Sequence, residues 1–323
     1  MLDSLLRILP VFLIIAFGVL LDIRRVLPKQ TGSVIGSYAL YVALPALLLH
    51  ILAGSTPDRL LHGGFWVGLL GTQVVLYVGV FSTEMAFSRR GQGPAAVIAL
   101  ASSCSNVAFI GLPVVLSLMP NNPEALVAAG LGVFIPNLIV IPCQIHLDIL
   151  RNAEGGGHTS LGTLLRSVFL NPMMLATATG MALGLSELGL PGPVDGAAQM
   201  LGNTAAPCML LALGLDLRDK VYTALHGERR LNLIRLSGAS MVKLVINPLL
   251  AWLFLSLAGV TGTWLAVGVI MSGTATALLT YVIADIYNHT PEEVAMVAVV
   301  TNSLNLLSLT ALTELLRWQG LLP

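Results

Sequence analysis

The amino-acid sequence predicts an all-α polytopic membrane protein with ten transmembrane helices in two inverted five-helix repeats, in which broken helices 4 and 9 cross near the midplane. Three observations predict it: the composition, ten long apolar segments and an internal repeat. Of 323 residues, 56% are apolar and 10% are charged, and the mean hydropathy is +0.87. Soluble domains carry about a quarter charged residues, so we expect this chain to lie in a lipid bilayer.

Ten segments are long enough for the roughly 20 apolar residues that a helix needs to cross the hydrocarbon core. They are 5–21, 33–54, 63–86, 94–118, 124–148, 168–186, 193–215, 233–257, 262–285 and 292–315. The connections are short, and the longest, 151–166 and 218–230, are too short for separate domains. The sequence therefore predicts a single membrane domain over residues 1–323.

Basic residues predict the orientation, because cytoplasmic loops carry an excess of Lys and Arg. Twelve lie in or beside the loops after helices 1, 3, 5 and 7: Arg24, Arg25, Lys29, Arg89, Arg90, Arg151, Arg166, Arg218, Lys220, Arg229, Arg230 and Arg235. The opposite side has three, Arg7, Arg59 and Arg317. We expect both termini outside, in a bacterial-type cytoplasmic (inner) membrane.

An internal repeat appears when the chain is compared with itself at an offset of 162 residues. Four Pro or Gly pairs then coincide: Pro10 with Pro172, Gly18 with Gly180, Pro45 with Pro207, and Gly111 with Gly273. Each half, 1–150 and 163–323, holds five predicted helices, and an odd number inverts the second half. Inverted repeats are a common construction of secondary transporters, with the substrate site near the midplane.

Helices 4 and 9 contain residues that interrupt helices. Gly111-Leu112-Pro113 in helix 4 corresponds by the repeat to Gly273-Thr274-Ala275 in helix 9. Interrupted backbone survives at membrane depth only where it lines an enclosed cavity, and the N-termini of half-helices attract carboxylates. The predicted substrate-binding residues are Asn106, Ser105, Gly111, Pro113, Ser272, Gly273, Thr274 and Thr276. The alternative is a proline kink that serves helix packing.

The stretch SNVAFIGLP (105–113), with its Asn-x4-Gly-x-Pro pattern, resembles the fourth helix of the auxin efflux carrier family, which contains plant PIN-formed proteins and bacterial malate and malonate permeases. Similarities to its ninth, sixth and eighth helices are SGTATALLTYVIADIY (272–287), LNPMMLATATGMALG (170–184) and VKLVINPLL (242–250). The resemblance covers the whole chain and implies crossing helices, elevator-like movement of a transport domain against a scaffold, and contact of Asn106 with an anion. It also implies a homodimer, which nothing in the residues themselves demands.

A second group of polar residues is predicted to couple transport to an ion or to offset the substrate charge: Lys243, Asp285, Asn302, Asn305 and Asn137. Lys243 lies near the centre of helix 8, where a lysine usually faces a cavity or a partner; the alternative is snorkelling to the headgroups. Asn302 and Asn305 are three residues apart and are expected on one helix face. With Thr301 and Ser303 they would line a polar track or a sodium site, or else form hydrogen bonds between helices.

The function that we expect is secondary transport of a small carboxylate, such as malate or malonate, driven by a proton or sodium gradient. Alternatives are a membrane sensor that binds its ligand without moving it, and a sodium-coupled symporter of the related bile-acid type. The sequence has no G-x4-G-K-[ST] loop, H-E-x-x-H motif or G-x-S-x-G motif, which argues against ATP hydrolysis and against enzyme chemistry. We expect no cofactor, no metal site and, at zero net charge, no nucleic-acid partner.

Overall fold

The fold is all-helical in the computed structural model, which describes residues 2–88, 90–153, 171–226 and 233–322. Over the described residues, each of the ten predicted apolar segments is mostly helical. They are α1 Leu2–Ile23, α2 Thr31–Ala53, α3 Gly63–Phe87, α4a Gln92–Ser103, α4b Val107–Leu118, α5a Pro123–Phe134, α5b Asn137–Ala153, α6 Pro172–Leu185, α7a Gly192–Gly202, α7b Ala205–His226, α8 Leu233–Leu257, α9a Gly262–Ser272, α9b Leu278–Ile286 and α10 Pro291–Trp318. A short helix, Pro57–Leu60, precedes α3.

Several predictions involve residues outside the described ranges. Arg89, Arg166, Arg229 and Arg230 contribute to the predicted orientation, and residue 163 begins the predicted second repeat. The orientation of the termini stays a prediction.

Seven helices within the described residues are long and apolar enough to cross a membrane. Three shorter apolar helices accompany them: Val107–Leu118, Pro172–Leu185 and Gly262–Ser272. Large apolar side chains on the helices face outward, among them Leu13, Phe17 and Leu307 at 56%, 53% and 68% exposure. In water such a surface would be unstable, and in lipid it is the expected one. The chain is an integral membrane protein.

Among the described residues, three helices contain a π-helical turn, and each turn ends two residues before a proline. They are Ala39–Ala43 before Pro45, Val107–Gly111 before Pro113 and Val242–Ile246 before Pro248. A proline has no N–H and its ring clashes with the carbonyl four residues earlier. A π turn widens the helix by one residue at that point, so the helix continues through each proline without breaking.

The chain divides into two compact units, and each takes helices from both predicted repeats. Unit 1 comprises residues 1–63, 108–134 and 167–218. Within it, α2 packs against α6 and α7a, and α1 lies close to α7b at Gly18. A Cβ added to Gly18 would come within 2.7 Å of the carbonyl oxygen of Leu211, so only glycine permits this approach.

Unit 2 comprises residues 64–107, 135–166 and 219–323. At its centre, α4a packs against α5b, α8, α9b and α10, with buried side chains such as Val97, Leu100 and Leu147 between them. Four charged side chains connect α3, α8, α10 and the segment before α4a. Arg235 binds Glu84 and Glu293, and Arg90 binds Glu293 at 2.6 Å. The interrupted stretches of helices 4 and 9 both lie in this unit.

Candidate functional site

The interruption of helix 4 lies at Cys104-Ser105-Asn106. α4a ends at Ser103, and Cys104 is extended, with φ −76° and ψ 114°. The prediction that Gly111-Leu112-Pro113 forms the break was wrong by about two turns. Gly111 ends the π turn and Pro113 follows two residues later inside α4b, so the helix continues past both residues.

Helix 9 is interrupted where the sequence predicted. α9a ends at Ser272 and α9b begins at Leu278, so Gly273, Thr274 and Ala275 all lie in the gap. The sequence repeat pairs Gly111 with Gly273, but the two glycines do not occupy equivalent positions in the structure. Gly273 is the first residue of the helix 9 break, whereas Gly111 lies inside α4b, after the helix 4 break.

The two interrupted stretches are hydrogen-bonded to each other. The N–H of Asn106 donates to the carbonyl oxygen of Ala275 at 2.8 Å, and the N–H of Ala277 donates to that of Cys104 at 3.0 Å. Ser105 and Thr276 form an antiparallel bridge between them. Buried backbone polar groups need partners, and each break supplies partners for the other. The interruptions of helices 4 and 9 therefore lie together, although helix 4 meets the helix 9 break through Cys104–Asn106 and not through the predicted Gly111–Pro113.

Side chains from α9 and α10 satisfy further backbone groups at the breaks. Asn305 accepts from the N–H of Ala275 (3.1 Å) and donates through Nδ2 to the carbonyl oxygen of Gly273 (3.0 Å). Thr301 accepts from the N–H of Thr276 at 3.1 Å, and the Oγ1 of Thr276 donates to the carbonyl oxygen of Ala101 at 2.9 Å. Asn305 and Thr301 are both fully buried, so one face of α10 holds the helix 9 break in place.

Asn302 lies apart from this face. Its Nδ2 donates at 2.7 Å to the carbonyl oxygen of Ala298 in its own helix, and the residue is half-buried. Residues three apart in an α-helix differ by about 60° around the axis. This difference lets Asn305 contact the helix 9 break while Asn302 points to one side of it. The expected shared polar face of Asn302 and Asn305 is not formed.

Lys243 is completely buried and joins the two breaks. Its Nζ donates to the Oγ of Ser105 at 2.6 Å and to the carbonyl oxygen of Ser272 at 3.0 Å. The snorkelling alternative was wrong, because the side chain has 0% exposure. Within the described part of the chain, no carboxylate forms an ion pair with Lys243. Its hydrogen-bond partners are neutral.

Asn247, one turn after Lys243, is a site residue that the sequence analysis missed. Its Nδ2 donates to the carbonyl oxygen of Ser103 (3.1 Å) and to the Oγ of Ser105 (3.4 Å). Asn247 has 0% exposure, and its Oδ1 has no hydrogen-bond partner among the described residues. The spacing of four from Lys243 was the available signal, since such residues share a helix face.

Asn106 presents a buried amide donor beside the paired breaks. The residue is 3% exposed, and its Nδ2 has no hydrogen-bond partner in the described structure. A buried donor without a partner costs about 1–3 kcal/mol, so a bound acceptor there would recover that free energy. Asn106 also directly precedes α4b, whose N-terminus carries partial positive charge.

The remaining predicted residues lie elsewhere. Gly111 and Pro113 belong to unit 1, one to two turns along α4b. Asp285 is exposed near the end of α9b, whereas Asp148 in α5b, which the sequence analysis did not single out, is buried at 4% exposure. Asn137 is half-buried at the first residue of α5b.

A cavity of about 800 Å³ lies within unit 2 between α3, α4a and α8. Its volume is in the usual range of ligand pockets. Its walls are mostly apolar, and its polar side chains include Glu84, Arg90 and Arg235. Glu84 and Glu293 already neutralise Arg235. The buried donors at the paired breaks are therefore better suited to an anion than this cavity is.

Comparison with known proteins agrees with a membrane transport function. A family model described as "Membrane transport protein" matches residues 4–150 and 144–313. A protein of Rhizobium meliloti (strain 1021), named "Putative malonate transporter", is 25% identical over 327 residues, covering 98% of this chain and 96% of the relative.

Proposed function

The chain belongs to the membrane transport protein family, the auxin efflux carrier family that its motifs resemble, and on that premise we propose that it is a secondary carrier of a small mono- or dicarboxylate such as malonate or malate. It is a transport protein and not an enzyme. The proposal extends to the substrate class, to coupling with a proton or sodium gradient, and to the mechanism of transport.

The observation that carries the proposal is a buried lysine amine and an unpartnered amide donor at the two paired breaks. Lys243 is fully buried with neutral partners only. A buried charge without a counter-charge is costly, and a carboxylate would supply the missing negative charge. The Nδ2 of Asn106 would donate to the same anion. The name of the Rhizobium meliloti relative supports a dicarboxylate of malonate size.

The division into units supports elevator-type alternating access. Unit 2 contains the paired breaks together with α3, α8 and α10, and unit 1 contains α1, α2, α6 and α7a. An elevator needs the site to be held within one body, and every contact described for the paired breaks lies within unit 2. The inverted repeat has support in the helix order, because the fourth helix of each half is interrupted.

Uptake by proteoliposomes tests the proposal. The purified full chain should accumulate radiolabelled malonate or malate when a proton or sodium gradient is imposed, and Asn106→Ala should reduce uptake at least tenfold with unchanged thermal stability. Loss of one hydrogen bond to a charged group corresponds to about 1.5–3 kcal/mol, or roughly 10-fold to 150-fold.

Asn302→Ala is the matched control for this experiment. It removes an amide of the same kind from a position that does not contact the breaks, and it should transport at the wild-type rate. Wild-type uptake by Asn106→Ala would remove Asn106 from the substrate site. Malonate binding without uptake under any gradient would instead favour a sensor.

A further inference from the structure

We propose that the ammonium group of Lys243 is a tethered cation that occupies the position of a coupling sodium ion, so that this carrier operates without sodium. The inference rests on the proposed function for its meaning in transport. It narrows the choice between a proton and a sodium gradient by excluding sodium. The part that the structure can support is that the ammonium of Lys243, and not a sodium ion, lies between the two breaks.

The two oxygen atoms that accept hydrogen bonds from Nζ are of the kinds that bind sodium, a main-chain carbonyl and a hydroxyl. In carriers with discontinuous helices, unwound carbonyls and the C-terminal ends of half-helices coordinate the coupling ion. Here Nζ contacts the carbonyl oxygen of Ser272, the last residue of α9a, and the hydroxyl of Ser105 in the helix 4 break. The ammonium therefore lies at the negative end of the α9a dipole and connects both breaks as an ion would.

Charge repulsion opposes a metal cation beside the ammonium. Among the described residues, no carboxylate forms an ion pair with Lys243, so none of these carboxylates would offset a second positive charge next to Nζ. A sodium ion added next to Nζ would meet a like charge in a dry site, where repulsion is strong. These oxygens accommodate one cation, and that cation is the ammonium group of the Lys243 side chain.

Truncating the lysine should turn the site into one for a free cation. The Oγ of Ser105 and the carbonyl oxygen of Ser272 would lose their cationic donor. The amide of Asn247 reaches the Oγ of Ser105 through Nδ2, and rotation of this amide would bring its Oδ1, which has no hydrogen-bond partner among the described residues, toward the vacated position. Together with water in the vacated volume, these oxygens match the preference of a small hard cation.

Thermal unfolding of the purified full chain in NaCl or choline chloride of equal ionic strength tests the inference without any substrate. The wild-type Tm should be the same in both salts. Lys243→Ala should unfold at a lower temperature in choline chloride and show a saturable rise of about 2–4 °C at sodium concentrations roughly ten times the dissociation constant. Lys243→Ala/Ser105→Ala should lose that rise.

Ser240→Ala is the matched control, since Ser240 is a buried polar residue of the same helix and should show no sodium response. A saturable sodium effect on the wild-type Tm would overturn the inference, as would folded Lys243→Ala that is indifferent to sodium. If Lys243→Ala does not fold, the wild-type protein tests the inference by itself. Equal Tm and equal uptake in sodium and choline salts would support the tethered cation. A requirement for sodium in either measurement would refute it. Failure to transport any carboxylate would refute the proposed function while leaving the Tm results valid.

Discussion

Replacing Asn305 with alanine should destabilise the protein by removing the contacts that hold the helix 9 break. The side chain is fully buried, accepts from the N–H of Ala275 at 3.1 Å and donates to the carbonyl oxygen of Gly273 at 3.0 Å. These backbone groups lie in a gap between half-helices, so the α-helical ladder offers them no replacement. Each buried group left unpaired costs about 1–3 kcal/mol, which gives a total of about 2–6 kcal/mol.

For a chain of this size, about 2 °C of Tm corresponds to 1 kcal/mol, so Asn305→Ala should lower Tm by about 4–12 °C. Thermal unfolding in detergent, followed by tryptophan fluorescence or by aggregation, measures the change. Asn302→Ala is the control on the same helix. Asn302 donates only to a carbonyl of its own helix, and its loss should cost less than about 1 kcal/mol. An equal fall in Tm for both variants would refute the assignment of Asn305 to the break.

Two further variants test packing and the position of the helix 4 break. Gly18→Ala should lower Tm by an amount equivalent to about 1–3 kcal/mol, because its Cβ would come within 2.7 Å of the carbonyl oxygen of Leu211. The control is Gly79→Ala in α3. A Cβ at Gly79 would meet open space, so this variant should be neutral or slightly stabilising. Pro113→Ala should keep malonate uptake within about threefold of the wild-type rate, since a threefold change is under 1 kcal/mol and Pro113 lies beyond the break. A loss of uptake as large as that of Asn106→Ala would return Pro113 to the site.

Residue patterns predicted the ten helical segments and the helix 9 break because these depend on local properties. Apolar length marks a membrane helix, and Gly273 with Ser272 and Thr274 weakens a helix wherever it lies. The helix 4 break was misplaced because Pro113 looked like its cause. Pro113 is accommodated by a π turn, and the actual break at Cys104–Asn106 is stabilised by Ala275 and Ala277, more than 160 residues away.

The hydrogen-bond partners of Lys243 could not be predicted from the sequence either, because they too are contributed by residues far away in the chain. A buried lysine suggests an acidic partner, and the sequence alone does not identify one. The structure supplies a hydroxyl and a main-chain carbonyl instead, and no residue type identifies a carbonyl at the end of a half-helix. Asn247 was within reach, since it shares a helix face with Lys243 at a spacing of four.

The ammonium of Lys243 has an electrical consequence. The charges of the ion-paired cluster of Glu84, Arg90, Arg235 and Glu293 sum to zero, so displacement of this cluster through a membrane voltage would do no net work. Lys243 would contribute one uncompensated charge, worth about 2.3 kcal/mol per 100 mV if carried across the whole field. An elevator built this way would travel neutral with a monoanion, negative with a dianion and positive when vacant. Voltage would then act only on the vacant half of the cycle for a monocarboxylate, but on both the vacant and the loaded halves for malonate.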